Sequence, residues 1–391
     1  MLFRLDYVAT QLHHMASGTR QSAELGYAHV MKTQLAICLC VLLACVSCGI
    51  FDSDDDDGSS GCRKVTINKQ LKHVFYWGTT DGINMVPNVG YTSGGIDEPT
   101  WIDPATILVF TGTFVGDDFA RGLFKINIDE QTLSYKDYEV FEFPFYIYSI
   151  AYQADTGRLL IVYYDGNPIV AEVSLSGGKV VIEGELVGSE WSPLGVSPCG
   201  ASEDIVFYGR RPDDGVWGYF RRTWSGSQAT DSLLLNFTHN SSDDAMQKFA
   251  VDDAGAFLYF GSTTLTREDF NMRVLRLNLQ TNAPLDTILT RSRGSAISLR
   301  PNPQDSDLLL VQYFFFGGGH DYPDGKVLLL DMQTGATKSF NVRTHEALCR
   351  FTSNENVFWS PDGLHFVFSA DAFDGEGGYY QRELWVYRNA R

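Results

Sequence analysis

One unit recurs along most of the chain at intervals near fifty residues, and no other feature restricts the fold as much. It consists of an apolar or aromatic strand, a turn carrying Asp, Pro or Gly, a second strand rich in Val, Leu, Phe and Tyr, a loop, then a third strand and often a fourth. The clearest copy is the last, Val357 to Ser369 (VFWSPDGLHFVFS) followed by Glu383 to Arg388 (ELWVYR). Earlier copies begin at Thr100, Ser149, Leu194, Lys248 and Ala296. Their turn markers are Asp103, Asp155, Pro198, Asp253, Pro301 and Asp362, spaced by 52, 43, 55, 48 and 61 residues. Beyond residue 64 there is no helical period, only apolar or alternating runs punctuated by Gly, Asp, Asn and Pro.

A period near fifty with three or four strands per unit predicts an all-β chain, a six-bladed β-propeller over residues 64–391. A four-stranded sheet cannot bury both of its faces alone, and radial packing of such sheets buries them. The last unit has three strands before Arg391, so its fourth must come from elsewhere; Lys64 to Ile67 and His73 to Trp77 are the two donors available. The alternative is a seven-bladed ring with residues 72–100 in an extra partial blade. Aromatics at 13%, with 37 Gly and 13 Pro, suit short strands and tight turns.

Phe358 to Gly363 (FWSPDG), with Phe366 to Ser369 and Glu383 to Tyr387, resembles the TolB-type, WD-repeat-like propeller repeat. The resemblance implies that the Ser-Pro-Asp-Gly segment turns tightly between the innermost and second strands. In such a turn Pro presets the first dihedral, Asp caps and Gly takes a positive φ. Ser197 to Gly200 and Asp252 to Gly255 keep only part of the pattern. TolB-type propellers recruit partner proteins in the envelope, a role implied by the fold-level resemblance alone.

Ahead of the repeats, Leu35 to Ser47 (LAICLCVLLACVS) is 13 residues long, too short to span a bilayer core of about 30 Å. With Lys32 before it and Leu42-Leu43-Ala44-Cys45 at its end, it reads as a signal peptide over residues 31–44. The ending resembles the lipobox of bacterial lipoproteins, which implies a diacylated Cys45 as first mature residue. Cys48 is the alternative, with Cys45 rather than Leu three residues before it. An ordinary cleaved secretory signal is the plainer reading. Residues 1–30 read as a start-site extension upstream of Met31, and residues 45–63, with Asp54 to Asp57 among Gly and Ser, as a flexible acidic tether. The expected address is the bacterial cell envelope, lipid-anchored, at the outer membrane facing the periplasm or the cell surface.

Lys and Arg number 30 against 48 Asp and Glu, a net charge of -18, which argues against nucleic-acid binding because phosphate neutralisation needs a basic face. No nucleophile elbow, phosphate loop or dinucleotide fingerprint occurs. His345 to Cys349 (HEALC) begins like a zinc-protease helix but has Cys at its fifth position. Asp371 to Gly378 lacks the alternating oxygen ligands of an EF-hand. His73, His239, His320, His345 and His365 are scattered singly, so spacing supports no metal site. Cys48, Cys62, Cys199 and Cys349 remain after lipidation, with no pairing assigned. No catalytic residue, cofactor or metal is expected.

Aromatic clusters are the one surplus. Tyr146 with Tyr148, Tyr163 with Tyr164, Tyr313 before Phe314 to Phe316, and Tyr379 with Tyr380 fall at strand ends or in loops, where rings can stack on sugars or grip a peptide. The plainer reading is that they fill wedges between blades. The function expected is a non-catalytic envelope lipoprotein that holds a protein or glycan on one end of the propeller. A propeller enzyme of lactonase, lyase or glycosidase class, with residues gathered from several blades, is the alternative, and a purely structural envelope component a third. Cys45→Ser should abolish a globomycin-sensitive mass shift and release the chain from membranes; release by Cys48→Ser instead would assign the lipid to Cys48.

Overall fold

The computed structural model describes residues 68–77, 97–115, 118–237, 249–265, 270–281, 283–292, 294–315, 324–342, 352–373 and 380–391. The chain divides into Met1–Gly61 and Cys62–Arg391. The expected signal peptide, Cys45, Cys48 and the tether to residue 63 lie outside the described residues, as do His345 to Cys349 and Cys62.

The described residues form 24 strands and one short 3-10 helix, Ser189–Trp191. After β1 (Leu71–Trp77), the first unit holds β2 (Asp97–Asp103), β3 (Thr106–Val115), β4 (Asp118–Ile128) and β5 (Tyr135–Glu142). The second holds β6 (Tyr146–Gln153), β7 (Arg158–Asp165), β8 (Asn167–Ser176) and β9 (Lys179–Val187). The third holds β10 (Gly195–Pro198), β11 (Ile205–Arg210), β12 (Trp217–Ser225) and β13 (Gln228–Phe237). The fourth holds β14 (Phe249–Val251), β15 (Phe257–Leu265), β16 (Phe270–Asn278) and β17 (Asp286–Ser292). The fifth holds β18 (Gly294–Asn302), β19 (Asp305–Phe315), β20 (Asp324–Asp331) and β21 (Thr337–Phe340). The last begins with β22 (Thr352–Trp359), β23 (Phe366–Phe373) and β24 (Tyr380–Tyr387).

Within each unit the strands pair antiparallel in chain order, and β1 completes the last sheet in the order β1-β24-β23-β22. The first two units are joined at their rims by one parallel pair, Glu142 with Lys179. First strands meet around a ring: β2 touches β6, β6 touches β10, β10 touches β14, β14 touches β18, β18 touches β22, and β22 touches β2. The arrangement is a β-propeller with six four-stranded units among the described residues. Direct contact of β2 with β22 and β23 sets the first and last units side by side. Residues 78–96, most of the stretch from which an extra partial blade would be drawn, lie outside the described residues.

The second strand of each unit shows why. Side chains alternate between the two faces of a strand, and here both faces are buried, so the sequence reads as a continuous apolar run. In β7, Leu159 and Ile161 pack toward the first unit, whereas Leu160 and Val162 pack toward the third. In β11, Ile205 and Phe207 face the second unit, and Val206 and Tyr208 the fourth. In β23, Phe366 and Phe368 face the fifth unit, and Val367 the first. Six apolar clusters result among the described residues, one in each seam between neighbours. Rings dominate several of them. Tyr208, Tyr219, Phe207, Phe220, Tyr259 and Phe260 are all essentially inaccessible to water.

Closure follows the same logic. The donor is the strand containing His73 to Trp77, with Leu71 opposite Tyr387 and Lys72 opposite Val386. Leu71 reaches the seam between the fifth and last units, and Val74 the seam between the last and first. Polar contacts pin the two ends of the domain together. The Arg388 amide donates to the Gln70 carbonyl at 2.9 Å, and the Tyr387 hydroxyl donates to Gln70 Oε1 at 2.5 Å. Lys338 Nζ donates to the Ala390 carbonyl at 2.9 Å, and Arg391 pairs with Asp305 at 2.9 Å.

Deleting residues 64–79 should abolish the cooperative melt of the whole domain rather than trim it. Burial of Leu71 and Val74 contributes about 1.5 to 3 kcal/mol each, before the lost ladder is counted, against a typical net stability of about 5 to 15 kcal/mol. An unchanged thermal melt of the truncated chain would refute closure by β1.

Candidate functional site

The propeller has two ends. At one, which we call the turn end, each first strand turns into the second, and here the predicted markers gather: Asp103 closes β2, Asp155 lies between β6 and β7, and Pro198 closes β10. Asp253 lies between β14 and β15, Pro301 near the end of β18, and Asp362 between β22 and β23. The last turn has the expected chemistry. Gly363 takes φ +65°, Asp362 Oδ1 accepts the Leu364 amide at 2.9 Å, and Ser360 Oγ accepts the His365 amide at 2.9 Å. A Cβ at Gly363 would lie 2.4 Å from Asn302 Oδ1, so neighbour contact as well as φ demands glycine there.

Polar residues at or just past the ends of four of the first strands do further work. Gln153 Nε2 donates to the carbonyls of Gly200 and, at 2.9 Å, Ser202 in the third unit. Asn302 Nδ2 donates to the Gly363 carbonyl in the last unit at 2.8 Å. Asp103 and Asp252 instead accept amides of their own turns, Ala105 at 2.8 Å and Ala256 at 2.7 Å. Gly200 and Gly255, at φ +64° and +66°, meet backbone to backbone across the seam.

Between the second, third and fourth units these turns enclose a cleft of about 40 Å³, walled by Tyr152, Gln153, Asp155, Gly200, Asp252 and Asp253. That is room for a few water molecules, far below the several hundred Å³ of a typical small-molecule site. Asp253 is exposed by area, yet burial is the first cause raising its carboxyl pKa to about 6, followed by the charges of Asp155 and Asp252. Such a pairing suits a carboxyl on the wall of a narrow cleft, open to water along one direction and enclosed along the others. Among the described residues no group of three or more His, Cys, Asp or Glu side chains is arranged to hold a metal ion.

At the opposite, entry end lie the predicted aromatics of the second unit. Tyr146 opens β6 and stands opposite Tyr164 in β7. Tyr146, Tyr148 and Tyr164 are 39%, 37% and 38% exposed, while neighbouring Tyr163 is buried against Phe143. Tyr148 lies 5.0 Å from Tyr146 and 6.1 Å from Tyr164, ring centre to ring centre, and Phe110 supports Tyr146 at 5.4 Å. The hairpin register brings Tyr164 to the pair that the sequence singled out. The other candidates do not join them. Tyr313 is half-buried against the cluster between the fourth and fifth units. In β24 Tyr380 pairs through its backbone with Phe373 of β23, and Tyr379 lies outside the described residues.

The described histidines serve packing. His365 Nδ1 accepts the Asn389 amide at 3.2 Å, its ring stacks 6.5 Å from Trp101, and burial lowers its pKa. His73 meets Trp385 edge-on at 4.9 Å. Cys199 is a free thiol buried between the third and fourth units, its pKa raised by burial.

No protein-family model matches the chain, and no curated protein matches it. Among solved structures it is similar to Kuenenia stuttgartiensis hydrazine synthase, at 12% identity over 76% of this chain and 80% of that one, with a TM-score of 0.44. It is also similar to the Myceliophteria thermophila Cps50 (Swd1) β-propeller domain, at 11% identity over 75% and 99%, TM-score 0.38. A third similar structure comes from work on two prolyl endopeptidases, at 10% identity over 75% and 50%, TM-score 0.41. The fold assignment rests on this chain's own sheet order and seams.

Asp253→Asn tests the electrostatics of the turn end. A carboxyl with a folded pKa near 6 and an ordinary value of 3.8 costs stability that develops as pH rises from about 4 to 6 and is fully present above that. The variant should therefore melt above the wild type at pH 7.5, by no more than about 1 kcal/mol because solvent screens the group. The difference should vanish toward pH 4. A variant equal to wild type at pH 7.5 would show that the neighbouring carboxylates exert no strain.

Proposed function

We propose that this chain is a lipid-anchored protein of the bacterial cell envelope whose propeller holds a protein or glycan partner at its entry end. The observation that carries the reading is the cluster of Tyr146, Tyr148 and Tyr164, three large rings on the first two strands of one unit, each a little over a third exposed. Exposed rings in a cluster are a favoured way to offer contact area at low entropic cost, since each has only two side-chain torsions to fix. Cys45 would carry the lipid, and residues 46–63 would hold the propeller away from the bilayer, at the outer membrane facing periplasm or surface.

One observation favours a second reading, a propeller enzyme. Asp155, Asp252 and Asp253 converge from two units, and a carboxyl with a raised pKa is suited to proton transfer. The size of the cleft weighs against it, because a substrate of the lactonase, lyase or glycosidase classes needs several times that volume.

Affinity capture of the detergent-solubilised full chain from envelope extract should recover a discrete protein or glycan partner. Replacing Tyr146, Tyr148 and Tyr164 together by Ala should lose that partner while leaving the thermal melt within a few degrees of wild type. Repeated recovery of the chain alone, or a partner retained by the triple variant, would overturn the proposal.

A further inference from the structure

Residues 388–391, which follow β24, lie as a strap on the turn end, and His365 holds its middle. The Arg388 amide donates to the Gln70 carbonyl at 2.9 Å, and Gln70 Nε2 donates to the Asn389 carbonyl at 3.3 Å. The Asn389 amide donates to His365 Nδ1 at 3.2 Å, and the Ala390 amide to the Leu364 carbonyl at 2.7 Å. Ala390 is buried, and Arg391 pairs with Asp305. The strap thus joins the last unit to the fifth and to Gln70, just before the closing strand β1. We propose that His365 is a pH-sensitive clasp on this strap: a proton taken from solvent at Nδ1 expels the Asn389 amide and loosens residues 388–391 from the turn end.

The direction of one hydrogen bond carries the argument. A ring nitrogen that accepts from an amide bears no hydrogen, so neutral His365 keeps its own on Nε2, which lies 4.0 Å from Asp362 Oδ2. The imidazolium carries hydrogen on both nitrogens, and at Nδ1 that hydrogen would meet the Asn389 N–H, donor against donor. A backbone amide cannot become an acceptor, so it must move away. The charges acting on the ring come from two elements. Asp362, in the same turn, favours the proton, and Arg388, in the strap, opposes it. Trp101 of β2, on which the ring stacks, brings no charge. Lys338 of the fifth unit is engaged by the Ala390 carbonyl, and Arg391 by Asp305. Burial is the largest influence; offset by Asp362 and reinforced by Arg388, it holds the ring below its ordinary pKa of 6.5. The clasp is therefore shut at neutral pH. Its stabilising contribution is fully present above pH 6.5 and is lost as pH falls from 6.5 through the lower folded value.

Hydrogen exchange of the full chain in detergent, read residue by residue and corrected for the intrinsic pH dependence of exchange, tests this between pH 7.5 and pH 4.5. Protection of the Asn389 amide should fall about tenfold on acidification, the order expected for an amide that loses its acceptor. His365→Gln, whose side-chain carbonyl can accept the same amide and does not titrate, should hold that protection flat. Asp362→Asn removes the charge that favours the proton while keeping an oxygen to cap the Leu364 amide, and should move the midpoint of the loss to lower pH. The Ile128 amide, bonded to the Ala105 carbonyl at 2.8 Å in the first unit, should stay protected throughout. Flat protection at Asn389 in the wild type, a loss in His365→Gln that follows the wild type, or an unchanged midpoint in Asp362→Asn would overturn the proposal. So would an equal loss at Ile128, which would mean that acid opens the whole domain.

Discussion

Everything else in this molecule depends on the ladder between β1 and β24. A ring of sheets has no stable partial form, because a missing edge leaves two seams without one wall. Here the wall is supplied from the far end of the domain. Leu71 and Val74, on opposite faces of one strand, fill the two seams that bound the last unit. Gln70 and Asn68 then tie this entry to Tyr387 and Arg388 by hydrogen bonds. The contacts span more than three hundred residues of chain, so loop-closure entropy opposes them and only the completed ring repays it.

The two ends of that ring differ in kind. At the turn end the chain uses its polar groups on itself: Gln153 and Asn302 reach into neighbouring turns, Asp252 caps its own, and Gly200 meets Gly255 closely. Such lacing draws the turns together, with a cleft of about 40 Å³ among the described residues between the second, third and fourth units. At the entry end, among the described residues, the rings of Tyr146, Tyr148 and Tyr164 cluster, each a little over a third exposed. The laced end is suited to holding the six units in register, and the ringed end to meeting another molecule.

Much of the fold was legible from local chemistry. The Ser360 to Gly363 turn could be read because its dihedral and capping demands are met by adjacent residues, and the structure has Asp362 capping and Gly363 at positive φ. The six units could be read because a second strand buried on both faces leaves an unbroken apolar run, as in Leu159 to Tyr163. The site was less legible. Tyr163 and Tyr164 are identical neighbours, yet one is buried and the other exposed, since a one-residue step reverses the face of a strand. Asp155 and Asp253 lie almost a hundred residues apart, and only the ring of turns brings their charges into mutual reach.

By itself the sequence determined the repeat, its strand content, the turn positions and the acidic balance, because each depends on residues close together in the chain or on composition alone. Only the tertiary structure decided which of two segments closes the ring, which tyrosines face water, and which carboxyl has its pKa raised by its neighbours. Those outcomes depend on what stands across a seam, and the facing residues come from distant units brought together by radial packing.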